Sequence, residues 1–340
     1  MEKIPAFCEL MRLPKKVVIV THFKPDADAL GSSLGLAAFL QKKGHAVRVV
    51  TPSDYPAFLS WMPGNGSVHA VVKENQQQLA EASRLIHDAD VVFCLDFSVL
   101  NRINSLGEMV RKAPAVKVMI DHHLEPERFA DFEFWDVTSA STAGLVFELI
   151  QHCGETHLID QTIATCLYAG LMTDTGGFRH NNTTAREFRI AAHLTESGAQ
   201  PHEIARLIYD SNSLERLRLT GYVLSQKLTV LPEYQTAYML LTADELTRFG
   251  AQTGDTEGLV NYGLSIQGIR LSVLMYDRKE EIKLSFRSLG GFSVNEFARR
   301  HFNGGGHHNA AGGSSRLSLA ETLRRFLELL PDYQEALNRP

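Results

Sequence analysis

Four runs of strand length decide what this chain can fold into. VVIVT (17–21), VRVVT (47–51), VVFCLD (91–96) and VKVMID (116–121) are apolar almost throughout and rich in β-branched residues. A strand with one wet face alternates apolar and polar residues, so runs without alternation belong to a sheet covered on both sides. The stretches between them supply the cover. LGSSLGLAAFLQKKG carries Leu30, Leu34, Ala37 and Ala38 at helical spacing, with Gly44 placed to cap its end. Helical patterns recur over 141–152, 160–173, 184–198 and 201–210. Strands alternating with helices predict an α/β domain built on a parallel sheet with helices on both faces.

Past residue 212 the pattern changes. A polar, helix-prone stretch over 213–227 reads as a linker helix. Strand-like runs at 235–241, 269–276 and 281–288 then alternate with helical stretches around 256–264, 293–301 and 318–330. With 340 residues and roughly 150 per domain, two domains are expected. We assign 1–212 to the larger domain, 213–227 to the linker and 228–340 to a smaller α/β domain.

Composition removes several function classes. Lys and Arg total 34 against 39 Asp and Glu, a formal charge of −5. Coating long duplex DNA is mostly phosphate neutralisation, which such a chain does poorly. No apolar run approaches the ~18 residues of a membrane span, and Glu2, Glu9 and Arg12 interrupt the place of a signal peptide's apolar core. Cys8, Cys94, Cys153 and Cys166 show no close-paired spacing, which predicts neither a zinc knuckle nor a disulfide framework. The expectation is a soluble, reduced, cytoplasmic protein without membrane contact.

The ends of the apolar runs carry the chemistry. His22 follows the first, Asp96 ends the third, and Asp121-His122-His123 ends the fourth. Ligands of open α/β sheets bind outside the carboxyl ends of the strands, so these residues are candidates for one crevice. Asp26 and Asp28 lie on the loop entering the first helix, and Asp174 closes IATCLYAGLMT. A single such Asp is ordinarily a helix cap or turn residue, and Asp28 alone would serve to cap a helix beginning near Ala29. As a set they offer mixed carboxylate and imidazole donors, which suit Mn²⁺, whereas an all-oxygen set suits Mg²⁺ or Ca²⁺. Six ligand-type residues are too many for one open catalytic ion and match two ions bridged by carboxylate.

Taken in order, HFKPDADALGS from His22, the strand-end Asp96, Asp121-His122-His123, GLMTDTGGFR from Gly170 and FNGGGHHNAAGG from Phe302 resemble the successive motifs of the DHH phosphoesterases and their associated C-terminal domain. Length and motif order resemble the bacterial oligoribonuclease/pAp-phosphatase branch, over about residues 15–330. The resemblance implies residue roles. His22 and Asp26 would hold a first Mn²⁺, Asp28 and His122 a second, with Asp96 bridging and Asp174 facing mainly the second. His123 would sit over the substrate phosphate, and Asp121 would orient the histidine pair. Two positions depart from the pattern: Gly144 stands where many relatives carry Glu, and Asn303 replaces the first of four glycines.

In the second domain, Gly304, Gly305 and Gly306 allow close approach of backbone N–H groups to an anion, with His307 and His308 beside them. Residues 269–310 carry a local charge of +3 in an otherwise acidic chain. Of Arg270, Arg278 and Arg287 on predicted strands, Arg287 matches a substrate-contacting arginine of the family pattern. Trp61 and Trp135 read as packing residues. His45, His69, His87, His152, His157, His193 and His202 read as solvent-facing, and Cys94 and Cys166 as core thiols.

The expected protein is thus a phosphoesterase with two Mn²⁺, Mg²⁺ being less favoured. Its substrate would be short single-stranded RNA yielding mononucleotides, or pAp (3′-phosphoadenosine 5′-phosphate) yielding AMP. The smaller domain would bind the substrate, and a homodimer is compatible with this reading. The alternatives are a linear or cyclic dinucleotide phosphodiesterase, a pyrophosphatase or exopolyphosphatase, and, from another class, a nucleotide-binding regulator that no longer turns over.

Overall fold

The computed structural model describes residues 4–338. The chain divides into two compact units between Ser211 and Asn212. In the first unit the apolar runs form β1 (Lys16–Thr21), β2 (Ala46–Thr51), β4 (Val91–Leu95) and β5 (Val116–Asp121), joined by a two-residue β3 (His69–Ala70) and by β6 (Phe132–Trp135). Every pairing is parallel, in the order β3-β2-β1-β4-β5-β6. The alternation hidden inside the apolar runs sorts them onto two faces. Val17 and Ile19 of β1 join one core with α2 (Ala27–Lys42), α5 (Thr142–His152) and α6 (Gln161–Asp174), while Val18 and Val20 join another with α3 (Gln76–His87) and α4 (Leu106–Lys112). The first unit is a sheet between two helical layers, as the unbroken apolar runs require.

Helices α7 (Ala185–Glu196) and α8 (Pro201–Tyr209) complete this unit, and α1 (Ile4–Leu10) packs Phe7 against Phe93, Phe132 and Phe134. A disulfide joins Cys8 of α1 to Cys153 at the end of α5, 145 residues away. This corrects the expectation of a fully reduced chain without disulfides: the partners meet only through tertiary packing, so spacing could not reveal them. Cys94 and Cys166 are buried thiols, as expected, and burial pushes Cys166 up to about 12. His45 is also buried, its Nδ1 accepting from the Lys15 N–H, contrary to the solvent-facing expectation.

The second unit holds a mixed sheet, β11-β12-β10-β9-β8-β7. Its strands are β7 (Leu228–Leu231), β8 (Thr236–Leu241), β9 (Leu271–Asp277), β10 (Ile282–Ser288), β11 (Gly305–His307) and β12 (Ala310–Ser315), with only β8 and β9 parallel. One face packs Phe286 against Phe297 of α12 (Val294–His301) and Phe326 of α13 (Leu319–Asn338). The other packs Met239 and Leu274 against Leu219 of α9 (Leu214–Tyr222) and Leu259 and Val260 of α11 (Leu259–Leu264); a short α10 (Ala243–Arg248) follows β8. The stretch read as a linker therefore contributes α9 and Val223 to this unit's core. Arg270 and Arg278 flank β9 instead of lying on it, because the strand runs from Leu271 to Asp277. Among the described residues no helix is long and apolar enough to cross a membrane.

The Cys8–Cys153 link closes a long loop, a constraint worth about 2–5 kcal/mol where the reduced state is freely unfolded. Reductant should therefore lower the melting temperature of the unmodified chain and leave Cys8→Ser unmoved. Equal melting temperatures with and without reductant would show that the link contributes nothing.

Candidate functional site

Parallel strands that start from one end deliver their carboxyl ends to one edge, and β1 and β4 are neighbours whose connections leave in opposite directions. That switch point is where the loops part and a crevice opens. His22 follows β1 and Asp96 follows β4, with His22 Nε2 3.4 Å from Asp96 Oδ2. From β5, one strand further, His122 brings Nε2 to 3.5 Å from Asp96 Oδ1 and 3.3 Å from Asp174 Oδ2 at the end of α6. Asp96 has φ +66, a left-handed backbone that costs a side-chain-bearing residue about 1–2 kcal/mol and that Asp tolerates better than most. Such strain is retained where it aims a functional group.

Each ligand-type side chain is oriented by its local structure. The Nδ1 atoms of His22 and His122 lie 2.9 Å from Phe23 O and 3.1 Å from Ser139 O. A carbonyl only accepts, so both Nδ1 atoms donate, and in the neutral ring both Nε2 atoms carry a lone pair toward the carboxylates. Asp26 is the N-cap of α2: its Oδ1 accepts from the N–H groups of Asp28 and Ala29, while its Oδ2 lies 4.0 Å from His22. The capping role considered for Asp28 thus belongs to Asp26, two residues earlier. Asp28 is buried on α2 and turns its carboxylate to the first turn of α5, accepting from Thr142 N at 2.7 Å and Ala143 N at 2.9 Å. A Cβ on Gly170 of α6 would stand 2.6 Å from Asp28 Oδ1, so glycine there makes room for the carboxylate.

The electrostatics are those of crowded anions. Burial, then Asp96 and Asp174, hold the Asp28 carboxyl well above the ordinary range. Burial raises Asp174 to about 6. Asp96 goes the other way: burial opposes its charge, but His122 and His22 outweigh burial and keep it well below the usual range. For His122, burial is overcome by Asp174 and Asp96, which hold the ring well above its ordinary value. The crevice therefore draws positive charge to its centre. Donor atoms of His22, Asp26 and Asp96 lie within 4.8 Å of one another, as do those of Asp28, Asp96 and His122. Each of these two overlapping groups, which share Asp96, could hold a metal ion.

His123 borders the same cluster, its Nδ1 3.7 Å from Asp96 Oδ1. Its Nδ1 lies 2.7 Å from Asp121 Oδ1, Trp135 Nε1 donates to its carbonyl at 2.7 Å, and burial together with Arg102 depresses the ring well below its ordinary value. Burial, then Asp96, raises Asp121 to about 6, and its Oδ2 is buried without a hydrogen-bond partner. One proton lies in the contact between Nδ1 and Oδ1. A protonated Asp121 donates it to Nδ1, and the neutral His123 ring then carries its own, second proton on Nε2. Trp135, read as a packing residue, is instead half-exposed and serves as a backbone donor.

Residues invisible to motif reading complete the crevice. Thr142 Oγ1 donates to Asp96 Oδ1 at 2.9 Å, and Ser141 caps α5, its Oγ accepting from Gly144 N. The available signal was Ser141-Thr142 standing directly before an apolar helical run.

In the second unit, alternation along β10 sets Lys283, Ser285 and Arg287 opposite the buried Leu284 and Phe286. Arg287 pairs with Ala310 of β12, and Ala310 pairs with His307 of β11. Directly paired residues share a face, so Arg287 and His307 lie in one cross-strand row about 10 Å apart with a methyl group between them. His308 is exposed at the turn. Two of the three glycine amides are already committed: Gly304 N–H donates to Ala298 O and Gly306 N–H to Asn295 Oδ1. The glycines serve close packing instead, since a Cβ on Gly304 would stand 2.0 Å from Gly312 O and one on Gly306 2.5 Å from Ala310 O. Asn303 adopts φ +45, the left-handed conformation that Asn supplies more readily than most residues, so the missing first glycine costs little here.

Comparison with known proteins agrees with both units. Residues 16–171 match the DHH family, N-terminal domain, and 233–336 match the DHHA1 domain. The chain is 33% identical over 336 residues to the bifunctional oligoribonuclease and PAP phosphatase NrnA of Thermus thermophilus, covering 95% of this chain and 94% of that one. It is 27% identical to the protein of the same name from Bacillus subtilis, covering 88% of each. The crystal structure of an exopolyphosphatase-related protein from Bacteroides fragilis superposes with a TM-score of 0.93 at 39% identity, covering 99% of this chain and 98% of that one. With family matches in both units and a relative 33% identical over nearly the whole chain, the chain belongs to the DHH phosphoesterase family.

Proposed function

We propose that this protein hydrolyses the phosphate esters of short oligoribonucleotides and of pAp, using two divalent cations, Mn²⁺ in preference to Mg²⁺. The observation that carries the reading is Asp96, buried with one oxygen toward His22 and the other toward His122. Relatives named as oligoribonuclease and PAP phosphatase over nearly the whole chain support the substrate class. In this reading His22 and Asp26 hold one ion, Asp28, His122 and Asp174 the other, and Asp96 both. A pair of such ions supplies Lewis acidity and a water activated near neutral pH.

The chain's own groups do the rest. Ser139 and Phe23 carbonyls fix the rings of His122 and His22 so that their Nε2 atoms face inward. The N-terminus of α5 holds the Asp28 carboxylate through two backbone N–H groups and the helix dipole. His123, neutral and with its own proton on Nε2 while a protonated Asp121 donates to Nδ1, donates from Nε2 to a phosphoryl oxygen and stabilises charge that grows in the transition state. Arg287 and His307 bind substrate, not metal. Arginine grips phosphate with a planar fork, which suits a small nucleotide that offers few contacts. A cytoplasmic setting, where such substrates arise, belongs to the same reading.

Two imidazole donors favour Mn²⁺ over the harder Mg²⁺. Turnover of pAp and of pApA should therefore be higher with Mn²⁺ and vanish in EDTA. Equal rates with Mg²⁺, or activity that survives chelation, contradicts the site. Pyrophosphate turned over faster than either nucleotide would move the substrate class.

The members of the histidine pair should differ. His122→Ala is expected to lose bound metal, and His123→Ala to keep it while kcat falls by about 10²–10³. Metal analysis of the two purified variants decides the matter, and loss of metal from both would extend the ligand set to His123.

A further inference from the structure

His307 is held from both sides by the first turn of a single helix. On one side, Gly306 N–H donates to Asn295 Oδ1 at 2.8 Å; on the other, Val294 N–H donates to His308 O at 2.8 Å. Asn295 and Val294 are the opening residues of α12, whose N-cap is Ser293. Asn295 is only 3% exposed, in a position where its neighbours Val294, Phe297 and Ala298 are all apolar and buried. A polar side chain is kept in such surroundings when its hydrogen bond is needed. The bond it makes is not part of any helix or sheet ladder. It reaches across to the Gly305–Gly306 peptide, one residue before His307.

A second tie links this loop to Arg287. Asn309 Nδ2 donates to Ser288 Oγ at 2.9 Å and to Gly290 O at 3.1 Å, and Ser288 Oγ donates to Phe292 O. Ser288 is the residue after Arg287. The row Arg287–Ala310–His307 is therefore clamped at its β10 end by Asn309 and at its β11 end by Asn295. Glycines leave a loop mobile unless something outside it fixes the peptide planes, and with Gly304, Gly305 and Gly306 in succession the helix supplies that constraint.

We propose that Asn295 is a positioning residue for substrate binding: by holding the Gly306 amide it sets the direction in which the His307 ring leaves the sheet. Asn295 does not touch substrate. It acts through His307, so the inference rests on the reading that His307 meets the substrate phosphate. A buried acceptor one bond away makes the ring pre-organised, and pre-organisation is lost as binding affinity when the acceptor is removed.

The test is a double-mutant cycle on the full chain with pAp and Mn²⁺. Asn295→Leu keeps the shape and removes the acceptor; Asn295→Asp keeps an oxygen at the same reach. Asn295→Leu should raise KM by about tenfold with kcat falling no more than about threefold, and Asn295→Asp should recover most of that loss. His307→Ala should raise KM as well, and adding Asn295→Leu to it should cause little further change, because the two act in series. Equal losses in the Leu and Asp variants, or additive losses in the double variant, overturn the positioning role while leaving the reading of His307 intact. An unchanged KM in His307→Ala overturns that reading and this inference with it. Should Asn295→Leu fail to fold, Asn295→Ser, whose hydroxyl is too short to reach Gly306, takes its place in the cycle.

Discussion

The fold of the first unit is organised around a repulsion. Asp26, Asp28, Asp96 and Asp174 converge at the carboxyl edge of the sheet, three of them within reach of the His122 ring. Burial raises the Asp28 and Asp174 carboxyls, and the neighbouring carboxylates raise them further. The molecule answers with what it has. The N-terminus of α5 faces Asp28, the rings of His22 and His122 face Asp96, and Thr142 donates to Asp96. Gly170 is small so that Asp28 fits, and Asp96 accepts a left-handed backbone. A site that costs this much local strain and desolvation is held in place by two large cores, one on each face of the sheet.

The second unit solves a different problem by related means. Its chemistry-bearing residues are few, and they are set by strand register instead of by helix termini. A cross-strand row places Arg287 and His307 on one face with Ala310 between them. Gly304 and Gly306 lie against β12 where a Cβ would collide, and the freedom the glycines bring is restrained by Asn295 and Asn309. Close packing and pre-organisation replace the anion-binding amides that a glycine-rich loop suggests.

Much of this was legible in the residues because the strongest signals are local. Unbroken β-branched runs, three of the four closed by Asp or His, specify a parallel sheet covered on both faces and an edge where ligands collect. What escaped was long-range or depended on backbone detail. Cys8 and Cys153 are joined only once α1 packs beside α5. Asp26 and Asp28 both read as caps, and only the start of α2 at Ala27 separates them. His45 and Trp135 carry no motif; each is tied to backbone atoms by hydrogen bonds that sequence spacing does not show. The Gly306 amide looks available to an anion until Asn295, eleven residues earlier, is seen to take it.

Asp96 is the residue on which the proposed chemistry turns, since it alone faces both histidines. Electron paramagnetic resonance of the Mn²⁺-loaded protein, with the bound metal counted independently, addresses it most directly. The account predicts two ions per chain with the exchange-coupled signal of a bridged pair, and loss of that coupling in Asp96→Asn, which tolerates the same left-handed backbone. A single uncoupled ion in the unmodified protein, or a coupled pair that survives Asp96→Asn, would contradict it.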